Sequence, residues 1–301
     1  MPWDLVKLND GRSMPSIAYG TWTLGNGQSA VDQVDQALSV GFDHVDTAQS
    51  YRNEQEAGQA LKESGLARSD IFVTTKWSGQ ADIPTSIRNS VGNLGISYVD
   101  LYLVHSPRLA VPDIPTTWKQ MEQVVKDGLA KSIGISNFNV EQMQELLNSA
   151  NIKPVANQIL FHPYVYAQQK PILDFASQHG IIIEAYSLLI PLTHQPGGPL
   201  DKPLSSIASR LDVSPDQVLM AWAKAKGVVV VTTSSKESRL KGYLAAGDLK
   251  LTSDDIDAID EAGAAGARRL TAKTLLRRAA GLALLTAGAL AVCSYLGIDV
   301  L

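Results

Sequence analysis

Residues 46–54 read DTAQSYRNE, and the residues before them decide how the chain is read. Val45 closes an apolar run, so Asp46 stands where a strand runs out. Tyr51 follows five positions later, on the segment that must turn away from that strand. This spacing lets a carboxylate at a strand end and a phenol on the next loop face one cavity. A phenol, with a reference pKa of about 10, is a poor acid at neutral pH unless a cation stabilises its phenolate. The rest of the chain should therefore supply a positive charge at a neighbouring strand end.

Outward from this stretch, short Val/Ile-rich runs alternate with helical patterns. Strands are expected over Ile17–Gly20, Asp43–Asp46, Ile71–Thr75, Val99–Val104, Ser132–Ser136, Val155–Gln158, Ile181–Ala185 and Val228–Thr232. A small hairpin is expected before them, turning at Asn9, Asp10 and Gly11. Strands buried on both faces and separated by helices imply an α/β fold, a parallel (β/α)8 TIM barrel. The rival is a doubly wound open sheet, which calls for G-x-G-x-x-G after an early strand; Gly25-Asn26-Gly27 does not supply it. Polar residues decide between them. Asp46, Lys76, His105, Ser136 with Asn137, Gln158, Tyr186 and the run from Thr232 to Lys236 each follow an apolar run. In a barrel all of these gather at the C-terminal mouth, where barrel enzymes place their sites.

The chemistry follows from that gathering. Lys76 ends IFVTTK and is the cation sought: paired with Asp46 beside Tyr51, it is expected to lower the phenol's pKa. His105 ends VDLYLVH and can orient a carbonyl or share a proton transfer. Taken singly, a strand-end histidine most often only satisfies backbone groups, and His44, His179 and His194 are read that way. None of these side chains supplies hydride, so a reduction requires a nicotinamide cofactor.

Composition narrows the function classes. The chain has 301 residues, a net charge of −4 and one cysteine, Cys293. The acidic balance argues against a nucleic-acid partner, and a lone cysteine excludes an intrachain disulfide and disfavours a thiolate metal site. MPWDLVKLND carries no apolar signal region, so a cytoplasmic body is expected.

Several blocks occur in the order that marks a known family: GTWTLG, GFDHVDTAQSYRNE, FVTTKW, DLYLVHSP, GISNF, NQILFHP and AYS. Over roughly residues 7–263 the chain resembles the aldo-keto reductases. The resemblance implies a catalytic tetrad of Asp46, Tyr51, Lys76 and His105, with Tyr51 as general acid. It implies that Ser136, Asn137 and Gln158 hold a nicotinamide carboxamide, that Tyr186 stacks on the ring, and that Ser187 and Leu188 meet the pyrophosphate side. In VVVVTTSSKESR, Thr233 stands where the family usually has lysine, Ser234 keeps the serine, and Lys236 and Arg239 remain as cations. The TTSSK form looks like that of fungal reductases of conjugated polyketones and other α-dicarbonyls. Hydroxyls with two cations suit a 2′-phosphate, so NADPH is expected as cofactor and a small-molecule carbonyl as substrate. No metal is implied. Trp22, Trp77 and Phe161, with His162 beside it, are expected to line an apolar substrate pocket, although Trp22 also fits simple barrel packing. Some members of the family are cofactor-sensing subunits of ion channels, which is the alternative function.

The C-terminal part departs from the family. The barrel is expected to fill residues 1–262, ending in a helix from Asp254 to Ala262 capped by Ser253. Residues 263–278 read as a basic linker, with Arg268, Arg269, Lys273, Arg277 and Arg278. Residues 279–298, AAGLALLTAGALAVCSYLGI, carry no charge and have about the length of a membrane-spanning helix. With the cations before the segment, a tail anchor holding the barrel in the cytosol is the expectation, against a helix docked on the barrel. The usual pocket-closing C-terminal loop is replaced, which implies an open pocket.

Overall fold

The computed structural model describes residues 3–272. Strands β1 (Leu5–Lys7) and β2 (Ser13–Pro15) form the antiparallel hairpin. Eight further strands follow: β3 (Ile17–Gly20), β4 (His44–Asp46), β5 (Phe72–Trp77), β6 (Val99–Val104), β7 (Ala130–Ser136), β8 (Ala156–Leu160), β9 (Ile182–Tyr186) and β10 (Val229–Thr232). They close into a barrel in chain order, β10 pairing with both β9 and β3, and every ladder is parallel.

The helices are α1 (Gln28–Ser39), α2 (Glu54–Glu63), α3 (Ile83–Leu94), α4 (Ile114–Lys126), α5 (Val140–Ser149), α6 (Tyr166–His179), α7 (Ile190–Thr193), α8 (Asp201–Leu211), α9 (Pro215–Ala225) and α10 (Glu237–Ala245). Their starts are written locally. Asp82 and Asp113 accept from the backbone N–H three residues on, and Asn139 with Gln142 and Ser214 with Gln217 form capping boxes.

Strand alternation sorts the apolar residues into two layers. Leu101, Leu103, Ala156 and Val229 face the barrel axis, where Leu8 and Met14 pack against them from the hairpin segment. Val73, Tyr102, Val104, Ile133, Ile135 and Ile159 belong to the larger cluster shared with the helices. The hairpin thus plugs the N-terminal end of the barrel and leaves the C-terminal mouth as the open one.

The last helix corrects one expectation. It does not end at Ala262; residues 253–272 are helical throughout. Asp255 pairs with Arg210 and Asp260 with Lys226, both at 2.6 Å, which ties its first turns to α8 and α9. Glycines then bring it close to the barrel's upper loops. A Cβ at Gly263 would lie 2.6 Å from the Pro163 carbonyl oxygen, and one at Gly266 would collide with the Tyr164 ring. Arg269 donates to the Gly197 carbonyl at 2.8 Å, so the helix reaches the loop after β9 and the QPGGP stretch at the rim of the mouth. Among the described residues no helix is long and apolar enough to cross a membrane. The stretch 279–298, expected as an anchor, lies outside the described residues.

Candidate active site

The mouth is built by turns that leave the strands immediately after their last inward residue. After β4 the backbone enters a single 3-10 turn, Gln49–Tyr51, and exits through Arg52 at φ 60°. A left-handed conformation is uncommon for a side-chain-bearing residue and persists where its surroundings impose it. Asn137 (φ 64°) and Ser187 (φ 60°) share it, and both stand directly after strands whose ends were expected to hold the cofactor. Asn53 secures the first of these turns. Its amide donates to the carbonyls of Thr21 and Gly25 at 2.8 and 3.0 Å, tying the Tyr51 turn to the loop that carries Trp22.

Four expected residues meet there. Lys76 has no exposure, and its ammonium donates to Asp46 Oδ1 at 2.5 Å, the Thr47 carbonyl at 2.9 Å and Tyr51 Oη at 3.4 Å. The His105 ring stands edge-on to Tyr51, with 5.6 Å between centroids. Its Nδ1 lies 3.0 Å from Ser78 Oγ and 3.4 Å from Ser50 Oγ, which leaves Nε2 as the ring nitrogen available to a ligand.

Electrostatics assigns the protonation states. Burial disfavours the Lys76 charge, but Asp46 foremost, then Tyr51 and Glu184, outweigh it and hold the ammonium above its ordinary pKa. Burial and the Lys76 charge push His105 down to about 4, so its imidazole is neutral at physiological pH. Tyr51 corrects the expectation made from sequence. Its pKa is raised, because burial outweighs the lowering by Lys76 and Asp46 adds to the rise. The ammonium spends its short contact on Asp46 and stands farther from the phenol. Tyr51 is therefore a protonated donor, the form a general acid needs.

Beside this group, Ser136 Oγ donates to the Gln158 carbonyl at 2.8 Å, and Asn137 donates to the His105 carbonyl at 3.1 Å. Tyr186 Oη donates to Asn137 Oδ1 at 2.9 Å. Gln158 Nε2 donates to Asp46 Oδ2 at 2.8 Å, joining this second set of residues to the group around Lys76. Leu188 is buried in the core, so only its backbone is available beside Ser187. Ser234 and Lys236 lie at the start of α10, the Ser234 hydroxyl accepting from the Lys236 N–H at 3.1 Å. Thr233 directly follows β10. Arg239 is already engaged, donating through Nε and Nη2 to Asp216 Oδ2 at 3.1 and 3.0 Å, and so has only part of its fork free.

Two of the three expected substrate aromatics are placed elsewhere. Phe161 has no exposure and stacks on Trp222 of α9 at 5.2 Å. It shares the parity of Ile159, on the helix side, whereas inward positions share that of Gln158. Trp77 pairs in register with Val104, another helix-side residue, and its indole donates to the Ala81 carbonyl at 2.8 Å. Trp22 is 67% exposed and is the expected aromatic that remains free for a ligand. A surface cleft of about 660 Å³ is lined by polar residues including Arg52, Glu56 and Arg88 and contains none of the four residues around Lys76. The sequence reading missed Thr47, Ser50 and Ser78, which hold Lys76 and His105, because a serine or threonine in a loop carries no distinguishing pattern. It also missed Glu184, although a carboxylate inside IIIEAY is unusual for a buried strand.

A protonated phenol beside a buried ammonium, a neutral imidazole and a set of amide and hydroxyl groups at a barrel mouth define a site for carbonyl and alcohol chemistry. The profile of the aldo/keto reductase family matches residues 16–264, and the chain belongs to that family. It is 40% identical to the NAD/NADP-dependent indole-3-acetaldehyde reductase of Schizosaccharomyces pombe over 84% of this chain and 93% of that protein. It is 37% identical to the glyoxal reductase of Bacillus subtilis, over 85% and 92% respectively. Among solved structures, the Bombyx mori aldo-keto reductase in complex with NADP superposes with a TM-score of 0.80 at 30% identity, covering 86% of this chain and 92% of that one. The match to the family stops short of the tail.

Proposed function

We propose that this protein is an NADPH-dependent reductase of small aldehydes and ketones, with activated dicarbonyls among its substrates. The observation that carries this reading is the sealed Lys76 ammonium, 2.5 Å from Asp46 and 3.4 Å from the Tyr51 hydroxyl. Ser136, Asn137 and Gln158 would hold the nicotinamide carboxamide, Tyr186 would stack on the ring, and Ser187 with the Leu188 backbone would face the pyrophosphate. Thr233, Ser234, Lys236 and the free part of Arg239 would meet the 2′-phosphate. The fit is favourable at Gln158: its Oε1 accepts nothing among the described residues and is not sealed from solvent. Bound there, the cofactor supplies hydride to the carbonyl carbon.

The chain's own residues handle the oxygen. Tyr51 donates its proton to the carbonyl oxygen, and Lys76 stabilises the phenolate that remains. Neutral His105 offers Nε2 to orient the carbonyl, and Trp22 covers the apolar part of the substrate. A positioned acid of this kind contributes about 10² to 10⁴-fold. The dicarbonyl preference draws on the likeness to glyoxal reductase and on the TTSSK run. The test is a panel of glyoxal, methylglyoxal, indole-3-acetaldehyde and simple ketones, run with NADPH and with NADH on the full chain. Oxidation of NADPH fastest with the dicarbonyls is the expected result. Failure of every carbonyl to oxidise either cofactor would contradict the reading.

A further inference from the structure

Beneath the tetrad lies a carboxyl group that the catalytic assignment leaves unused. Glu184 stands on β9 two residues before Tyr186 and has no exposure. In register it lies between Gln158 of β8 and Val229 of β10. Its Oε2 accepts from Gln158 Nε2 at 2.8 Å, and the same nitrogen donates to Asp46 Oδ2 at 2.8 Å. An amide nitrogen carries two hydrogens, so both are taken. Glu184 Oε1 is buried without a partner.

A buried carboxyl group is costly, and accepting one hydrogen bond does not require it. A carboxylate differs from a neutral acceptor in one respect: it has no hydrogen to give. An amide between two acceptor-only groups has a single choice of face. We propose that Glu184 is a positioning residue that, together with Asp46, claims both hydrogens of the Gln158 amide and so presents Gln158 Oε1 to the carboxamide N–H of the nicotinamide. This rests on the reading that Gln158 meets the carboxamide.

The device is pH-dependent. The charged groups acting on Glu184 are Asp46 from β4 and Lys76 from β5, while β8 offers only the Gln158 amide and β10 the apolar Val229. Burial and the Asp46 charge push Glu184 up to about 7, against the Gln158 hydrogen bond and Lys76. Above that pH Glu184 only accepts. Below it the protonated carboxyl can donate, one of the two claims on the Gln158 amide is lost, and its orientation rests on Asp46 alone.

The experiment measures binding to the full-length protein by quenching of tryptophan fluorescence, at pH 6 and pH 8.5. Two ligands are compared: NADP and its 3-acetylpyridine analogue, in which a methyl ketone replaces the carboxamide and no N–H remains. Both carry the same phosphates, whose titration cancels in the ratio. The wild type should prefer NADP by on the order of tenfold at pH 8.5, the worth of one hydrogen bond, and by about two- to threefold at pH 6. Glu184→Gln, nearly isosteric but able to donate, should show the low ratio at both pH values. If Gln158→Leu removes the preference while Glu184→Gln keeps the wild-type ratio and its pH dependence, the positioning role is refuted and the Gln158 reading stands. If Gln158→Leu discriminates as the wild type does, the Gln158 reading itself fails.

Discussion

Asp46→Asn removes one partner of the most deeply buried ion pair described here. Asp46 is 2% exposed and Lys76 0%, with 2.5 Å between them. The variant leaves the ammonium in contact with neutral acceptors only, the introduced amide oxygen, the Thr47 carbonyl at 2.9 Å and the Tyr51 hydroxyl at 3.4 Å. Stranding one charge of a buried pair costs about 3–5 kcal/mol. For a domain of this size that is a fall in melting temperature of roughly 6–20 °C. The sign of the pH dependence follows from Lys76. In the wild type its raised pKa means the stabilisation is fully present below the unfolded value of about 10.4 and is lost only as pH rises through the folded value. In Asp46→Asn, burial prevails and the folded pKa drops below the unfolded one. Between those two values the unfolded chain binds more protons, so the variant gains stability as pH rises. Urea unfolding followed by tryptophan fluorescence at pH 6, 7.5 and 9 should show the largest deficit at pH 6 and a narrowing gap toward pH 9. A deficit below about 1 kcal/mol, or one that does not change with pH, would refute the assignment of an unsupported buried ammonium.

Other outcomes test the remaining parts of the site. His105 is neutral well below neutral pH, so with NADPH saturating the rate of carbonyl reduction should show no limb near pH 6.5 and should fall only at alkaline pH, as the protonated Tyr51 is lost; a pH–rate profile decides this. Trp22→Ala should raise KM for aromatic aldehydes while changing stability by less than about 0.5 kcal/mol, whereas Phe161→Ala should cost about 3–5 kcal/mol, as parallel kinetics and urea melts would show. Lys236→Ala should weaken NADPH binding about tenfold or more and leave NADH binding unchanged, read by fluorescence titration.

Much of this was legible in the sequence because the barrel repeats one rule eight times. Each strand is a short Val/Ile-rich run, and the polar residue after it must lie at the mouth. That rule found Asp46, Lys76, His105, Ser136 and Gln158 without further information. It failed where side-chain direction matters more than strand position. Trp77 ends β5 and Phe161 directly follows β8, but the two-residue alternation turns them toward the helices. The sign of the Tyr51 shift was also beyond the sequence. It depends on how completely the phenol is buried and on Lys76 giving its shortest contact to Asp46, and neither depth nor distance is written in residue spacing. The continuation of the last helix past Ala262 was hidden for a related reason. Gly263 and Gly266 weaken a helix in isolation, and here they let it approach Pro163 and Tyr164.

Tyr51→Phe tests the proposed chemistry most directly. Single-turnover reduction of methylglyoxal by the NADPH-loaded variant should be about 10² to 10⁴-fold slower than by the wild type. Its dissociation constant for the dinucleotide should stay within about threefold, since a loss of the order of one hydrogen bond is not expected at the cofactor. Turnover within about tenfold of the wild type would show that the proton comes from elsewhere.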